Sequence, residues 1–195
     1  MPKKALIILH KGFEEIEAIS PIDILRRAGV EVTVASREDT LLVEGKSSIQ
    51  LQAESLLDAV LEKTFDGIIL PGGPGTKRMV TDERILELVR NQAATERWIG
   101  AICAAPLVLK AAGVLKDHRY TAHVSTQEEL PHRVTRQRVV IDFPFITSPG
   151  AGTAIPFALA LTTALAGQAT AREVAMAIGW YESNTFETSR AMAEY

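Results

Sequence analysis

Cysteine is nearly absent from this 195-residue sequence: Cys103 is the only one, so no disulfide can form within the chain. Positive charge is not in excess either. Lys and Arg number 21 against 24 Asp and Glu, a formal net charge of -3, which excludes the broad positive field that recruits nucleic acid or anionic membrane. Long apolar runs are missing too. The longest candidate, Ile155 to Ala166, is interrupted by Pro156, Thr162 and Thr163 and falls short of the roughly 20 residues that span a bilayer. The start, Met1-Pro2-Lys3-Lys4, leads only into Ala5 to Leu9 and does not read as a signal peptide. No repeat at a solenoid period and no low-complexity tract occurs. The expectation is one soluble domain over 1–195 in a reducing, cytoplasmic setting, with small-molecule or protein partners rather than membrane or nucleic acid.

What the sequence does contain is alternation. Ala5 to Leu9, Val30 to Ala35, Gly67 to Leu70 and Trp98 to Ile102 are short runs rich in branched apolar residues, as expected for strands covered on both faces. Helical stretches separate them: Glu14 to Ala28, Ser55 to Glu62, and Asp82 to Ala94 with Asp82 as its cap. Val139 to Ile141 and Phe145 to Thr147 read as further strands, followed by helices over Gly152 to Leu165 and Ala171 to Ile178. Leu41 to Val43 and Ile49 to Leu51 fit a small hairpin. The tail 182–195 is a final helix or a frayed end. This order implies an α/β fold, a doubly wound and mostly parallel sheet sandwiched by helices.

Cys103 lies where the run Trp98 to Ile102 meets Ala104-Ala105-Pro106 and the helical segment Leu107 to Ala112, a strand, sharp turn and helix. Open α/β sheets bind ligands at the carboxyl ends of their strands, and a helix N-terminus favours thiolate over thiol. A reactive nucleophile is therefore expected at Cys103, against the alternative of a small buried apolar side chain. Pro71-Gly72-Gly73-Pro74-Gly75-Thr76-Lys77 also follows a strand. It matches neither G-x-x-x-x-G-K-[ST] nor G-x-G-x-x-G, so nucleotide binding is not expected. Gly72 and Gly73 instead bring backbone N–H groups to a position where a reacting oxygen could be held.

In Lys11-Gly12-Phe13-Glu14-Glu15-Ile16-Glu17, Glu17 shares a helix with Ile16, Ile19 and Ile22. An inward-facing carboxyl there would lose solvent and hold its proton more tightly. Pro21 cannot donate to the Glu17 carbonyl and predicts a bend or opening of the helix. Glu14 and Glu15 read as solvated charges at the helix start. Of the four histidines, His123 in Tyr120-Thr121-Ala122-His123-Val124 is the best placed to fold back as an acid, base or orienting group, and His10 is weaker. There is no H-E-x-x-H pattern and no Cys/His cluster, so no metal site is expected.

Four segments occur in a telling order: Lys11 to Glu17, Ile68-Ile69-Leu70-Pro71-Gly72-Gly73, Ala101-Ile102-Cys103-Ala104-Ala105-Pro106 and Thr147-Ser148-Pro149-Gly150-Ala151-Gly152-Thr153. Through them the chain, from about Lys4 to about Ala177, resembles the ThiJ/PfpI superfamily in the branch of the Parkinsonism-associated protein deglycase. The resemblance implies a flavodoxin-like sandwich, a homodimer, and a nucleophilic cysteine on a strained elbow beside a glutamic acid, at positions matched by Cys103 and Glu17. It matches His123 to the family's nearby histidine, Gly72 and Gly73 to backbone oxyanion donors, and Ala104 to the residue whose N–H follows the nucleophile.

The same resemblance implies a cofactor-independent glyoxalase or protein deglycase, acting on methylglyoxal and related 2-oxoaldehydes or on early glycated protein adducts. The alternative is an oxidative-stress sensor or chaperone that works through oxidation of Cys103. Two departures from the family, and one difference from its peptidase branches, bear on this. Pro149 replaces a basic or amide side chain of the family and offers no side-chain donor. Gly45 and Gln52 stand where animal members carry further cysteines. Ala104, where peptidase branches commonly place histidine after the nucleophile, disfavours proteolysis. Arg27 keeps a family arginine near the expected dimer contact.

Overall fold

In a computed structural model that describes residues 1–181, the chain order is β1 (Lys4–Leu9), α1 (Glu15–Arg27), β2 (Glu31–Ser36), β3 (Leu42–Glu44), β4 (Gln50–Gln52), β5 (Ser55–Leu56), β6 (Gly67–Leu70), α2 (Thr76–Met79), α3 (Glu83–Ala94), β7 (Trp98–Ile102), α4 (Pro106–Ala111), β8 (Val140–Asp142), β9 (Phe145–Ser148), α5 (Ala154–Ala166) and α6 (Gln168–Ala177). The expectation for the tail 182–195 lies outside the described residues.

Seven strands form one sheet in the order β5-β2-β1-β6-β7-β9-β8, and a separate two-stranded sheet pairs β3 with β4. Every pairing in the large sheet is parallel except β8 with β9. Strands β1, β6 and β7 are apolar almost throughout because both sheet faces are covered, which leaves no solvent face for polar alternation. Leu6, Ile8, Ile68, Leu70 and Ile99 point into one core with α3 and α4. Ala5, Ile7, Leu9, Ile69 and Ile102 point into the other, with α1 and α5. This is the doubly wound, mostly parallel α/β arrangement that the alternating pattern predicts, and the flavodoxin-like sandwich that the resemblance implies.

Two expectations change. Ser55 to Glu62 is not a helix: Ser55 and Leu56 extend the sheet beside Ala35 and Ser36, and only a single tight turn, Leu57–Ala59, follows. Leu57 and Val60 reach the core from that turn, and the exposed residues between and after them add no second buried turn. Helix α1 passes through Pro21 without interruption. Pro21 is buried there, at the cost of one missing backbone donor.

The chain leaves β1 toward β2 on one side and returns to β6 on the other, so the carboxyl ends of β1 and β6 flank a crevice at the reversal of strand order. The loops after β1, β6, β7 and β9 all open on this rim.

Candidate active site

Cys103 follows β7 with a backbone φ of 65°, a left-handed conformation that a residue with a Cβ adopts only under constraint. The constraint is visible on both sides. Its N–H donates to the Ser148 carbonyl at 2.8 Å, and its carbonyl accepts from the His123 N–H at 2.8 Å. The elbow is thus clamped between the end of β9 and the segment that carries His123, and the side chain is turned toward Glu17.

Glu17 is fully buried. The cause differs from the sequence expectation, because Ile16 and Ile19 are exposed. Glu17 instead heads the buried stripe of α1 that continues through Ala18, Pro21, Ile24 and Leu25. Its Oε2 accepts the Gly72 N–H at 2.9 Å, while Oε1 has no hydrogen-bond partner among the described residues. Burial pushes the Glu17 carboxyl up to about 7, against the hydrogen bonds from Cys103 and Gly72 that favour its charge.

Burial likewise pushes the Cys103 thiol up to about 12, reinforced by the charge of the Glu17 carboxylate, while the N–H groups of Gly73 and Ala104 pull it down. This reverses the direction expected from a helix N-terminus. Helix α4 is only six residues long, and burial beside a carboxylate outweighs its field. The two side chains titrate as a pair whose first proton leaves near neutrality and whose second is retained.

The backbone donors divide. The N–H groups of Gly73 and Ala104 are directed at the sulfur. The Gly72 N–H does not hold a reacting oxygen as expected, because Glu17 already occupies it. Gly72 must still lack a side chain: a Cβ there would sit 2.6 Å from the Cys103 Cβ and 2.7 Å from Glu17 Oε2.

A cavity of about 550 Å³ opens in front of this pair and includes Cys103, Glu17, Gly73, Ala104 and His123 among its walls. His123 Nδ1 accepts the Ser125 N–H at 3.2 Å and lies 2.9 Å from its Oγ, which leaves Nε2 to carry the proton in the neutral ring. His10 is not part of the cavity. It is buried with its ring nitrogens against the carbonyls of Lys11 and Pro71.

Glu14 and Glu15 are not the solvated charges expected. Both are buried. Glu14 caps α1 by accepting the Glu17 N–H at 2.9 Å, and Lys46 Nζ lies 3.7 Å from its other oxygen. Glu15 Oε1 accepts the Ser47 N–H at 2.7 Å. Its burial favours the neutral carboxyl, but hydrogen bonds, led by that from Ser47, hold it below the usual range.

Sequence reasoning missed Ser125, Thr76 and Lys46. Ser125 stands two residues after His123, a spacing at which a serine commonly closes a local turn. Thr76, whose buried Oγ1 is unpartnered among the described residues, and Lys46, in the hairpin turn, also line the cavity. No local signal marks either. Among the described residues no group of three His, Cys, Asp or Glu side chains is arranged to hold a metal ion, and no helix is long and apolar enough to cross a membrane.

Comparison with known proteins extends these observations. The chain is 40% identical over 177 residues to protein DJ-1 homolog A of Arabidopsis thaliana, covering 89% of this chain but only 44% of that longer protein. It is 38% identical over 169 residues to the glutathione-independent glyoxalase DJR-1.2 of Caenorhabditis elegans, covering 85% of this chain and 90% of the relative. The crystal structure of Drosophila melanogaster DJ-1beta superposes with a TM-score of 0.89 at 37% identity, over 93% of this chain and 100% of that one. The DJ-1/PfpI family profile matches residues 3–164, and the chain belongs to that family.

Proposed function

We propose that the protein is a cysteine-dependent glyoxalase, needing neither glutathione nor metal, that converts 2-oxoaldehydes to 2-hydroxy acids. Early glycated protein adducts are substrates of the same chemistry. The observation that carries this reading is the pairing of Cys103 with a buried Glu17 that titrates near neutrality, beside two N–H donors and in front of a cavity. The glyoxalase name of the Caenorhabditis elegans relative supports it.

In the singly protonated pair the proton rests on the Cys103 sulfur and Glu17 is the carboxylate; as the sulfur attacks, Glu17 takes that proton and the N–H groups of Gly73 and Ala104 stabilise the charge that develops on sulfur. The sulfur attacks the aldehyde carbon of methylglyoxal and forms a hemithioacetal, whose oxygen takes up a proton. Glu17, having given its proton to the hemithioacetal oxygen, removes the hydrogen from that carbon as a proton and delivers it to the neighbouring keto carbon, while the hemithioacetal hydroxyl proton passes to the keto oxygen with His123 assisting. The result is a thioester bearing a 2-hydroxyl group. Water then releases lactate and returns the thiol, so one water is consumed and no electrons leave the substrate. Gly72 positions Glu17 in this scheme.

A second reading rests on the same carboxyl. A protonated Glu17 beside the only thiol would donate a hydrogen bond to an oxidised sulfur, which suits an oxidation sensor or stress chaperone. We further read the assembly as a homodimer, supported by exposed Ile16 and Ile19 on α1 and Ile49 in the hairpin turn that docks on it.

The test is lactate formation from methylglyoxal without glutathione or added metal, comparing wild type with Cys103→Ser. Activity that disappears in the variant is the expected result. Activity that survives would remove Cys103 as the nucleophile, and inactivity of the wild type would favour the sensor.

A further inference from the structure

Between Glu129 and Asp142 the chain contains no acidic residue, yet it carries Arg133, Arg136 and Arg138. None of the three is in an ion pair among the described residues; Arg133 donates only to the neutral Gln127 Oε1, at 3.2 Å. All three line one cavity of about 370 Å³, separate from the one in front of Cys103, whose other walls include Thr121, Val124 and Pro149 and no carboxylate. Arg136 and Arg138 are exposed and Arg133 is half-buried, so water screens their mutual repulsion, and three guanidinium groups without a carboxylate partner among the described residues make this space a focus of positive potential that attracts an anion.

The loop is also fixed in place. The Val134 N–H donates to the Tyr120 carbonyl at 2.7 Å, and the Arg138 carbonyl accepts from Ser148 Oγ at 2.7 Å. Arg136 is held at a φ of 61°, where glycine or asparagine would be less strained. An arginine therefore stands at a backbone position that does not favour it.

We propose that this groove is a binding site for a small phosphorylated molecule. A guanidinium fork matches phosphate geometry in two parallel hydrogen bonds, and three forks around one space suit a dianion. The volume exceeds what a single phosphate fills and leaves room for an organic part. The site is independent of the chemistry assigned to Cys103.

Isothermal titration calorimetry of the full chain with glucose 6-phosphate, inorganic phosphate and glucose tests this directly. Glucose 6-phosphate should bind saturably, more weakly as salt rises, and glucose should not bind. In Arg133→Gln/Arg136→Gly the affinity should fall by about tenfold or more. The glycine keeps the left-handed turn, and an unchanged melting temperature without ligand verifies the fold. Binding of inorganic phosphate as tight as that of the sugar phosphate supports the anion site and assigns it to free phosphate. Absence of saturable binding of either phosphate at millimolar concentration, or binding unchanged in the variant, overturns the proposal. Cys103→Ser should bind like the wild type, so loss of catalysis and loss of this site are read separately.

Discussion

Glu17 sits with no solvent around it, and its proton is the simplest handle on the site. Its carboxyl is raised from the ordinary 4.5 to about 7 by burial, so the folded chain binds that proton more tightly than the unfolded chain does. The favourable contribution is complete below about pH 4.5, declines as pH rises, and is gone above about pH 7, a swing of roughly 3 kcal/mol. Glu17→Gln has no proton to lose. Its stability relative to wild type should therefore be greater at about pH 8 than at about pH 5 by an amount of that order, measured by urea unfolding at both. An equal difference at the two pH values would mean that Glu17 is not proton-loaded by the fold. The position of this residue was readable from the sequence, but the stripe that buries it was not. Ile16 and Ile19 look like its apolar companions and are in fact exposed, while Pro21, a residue that signals interruption, is buried beneath it.

Elements differ in how much of themselves their own residues specify. β6 and β7 have the bounds that their apolar runs predict, because burial on both faces leaves an unbroken signature. Ser55 to Glu62 has a helical spacing of apolar residues, but the edge of β2 offers hydrogen bonds that its first residues take instead, a contact about twenty residues away in sequence. Helix α3 begins where expected because Asp82 caps it, accepting the Arg84 N–H at 3.3 Å. The same carboxylate bridges Arg37 at 2.9 Å and Arg84 at 2.8 Å. The Arg84 guanidinium hydrogen bond, foremost, holds it below the usual range, so its contribution is present at neutral pH and is lost only as pH falls through that lowered value. Asp82→Ala should cost about 1 to 2 kcal/mol at neutral pH by thermal or urea unfolding, and the difference should shrink in acid. A variant as stable as wild type at neutral pH would reduce Asp82 to a surface charge.

The whole molecule gathers its site from the loops after β1, β6, β7 and β9, the segment that carries His123 and the β3–β4 hairpin, which explains why the ordered motifs were legible while their mutual geometry was not. Glu14 and Glu15 show the limit. Their partners Lys46 and Ser47 come from a hairpin about thirty residues later, and nothing near the glutamates announces it. That hairpin and α1 leave Ile16, Ile19 and Ile49 uncovered, the surface read above as a dimer contact. Sedimentation velocity should give twice the chain mass for wild type and a monomer for Ile16→Glu/Ile49→Glu; a monomeric wild type would end that reading. The solitary thiol has a practical corollary. Each thiol-specific reagent molecule consumed by intact protein is consumed at the elbow and nowhere else, so a colorimetric thiol count is at once a census of competent sites, and the chain serves as its own calibration standard.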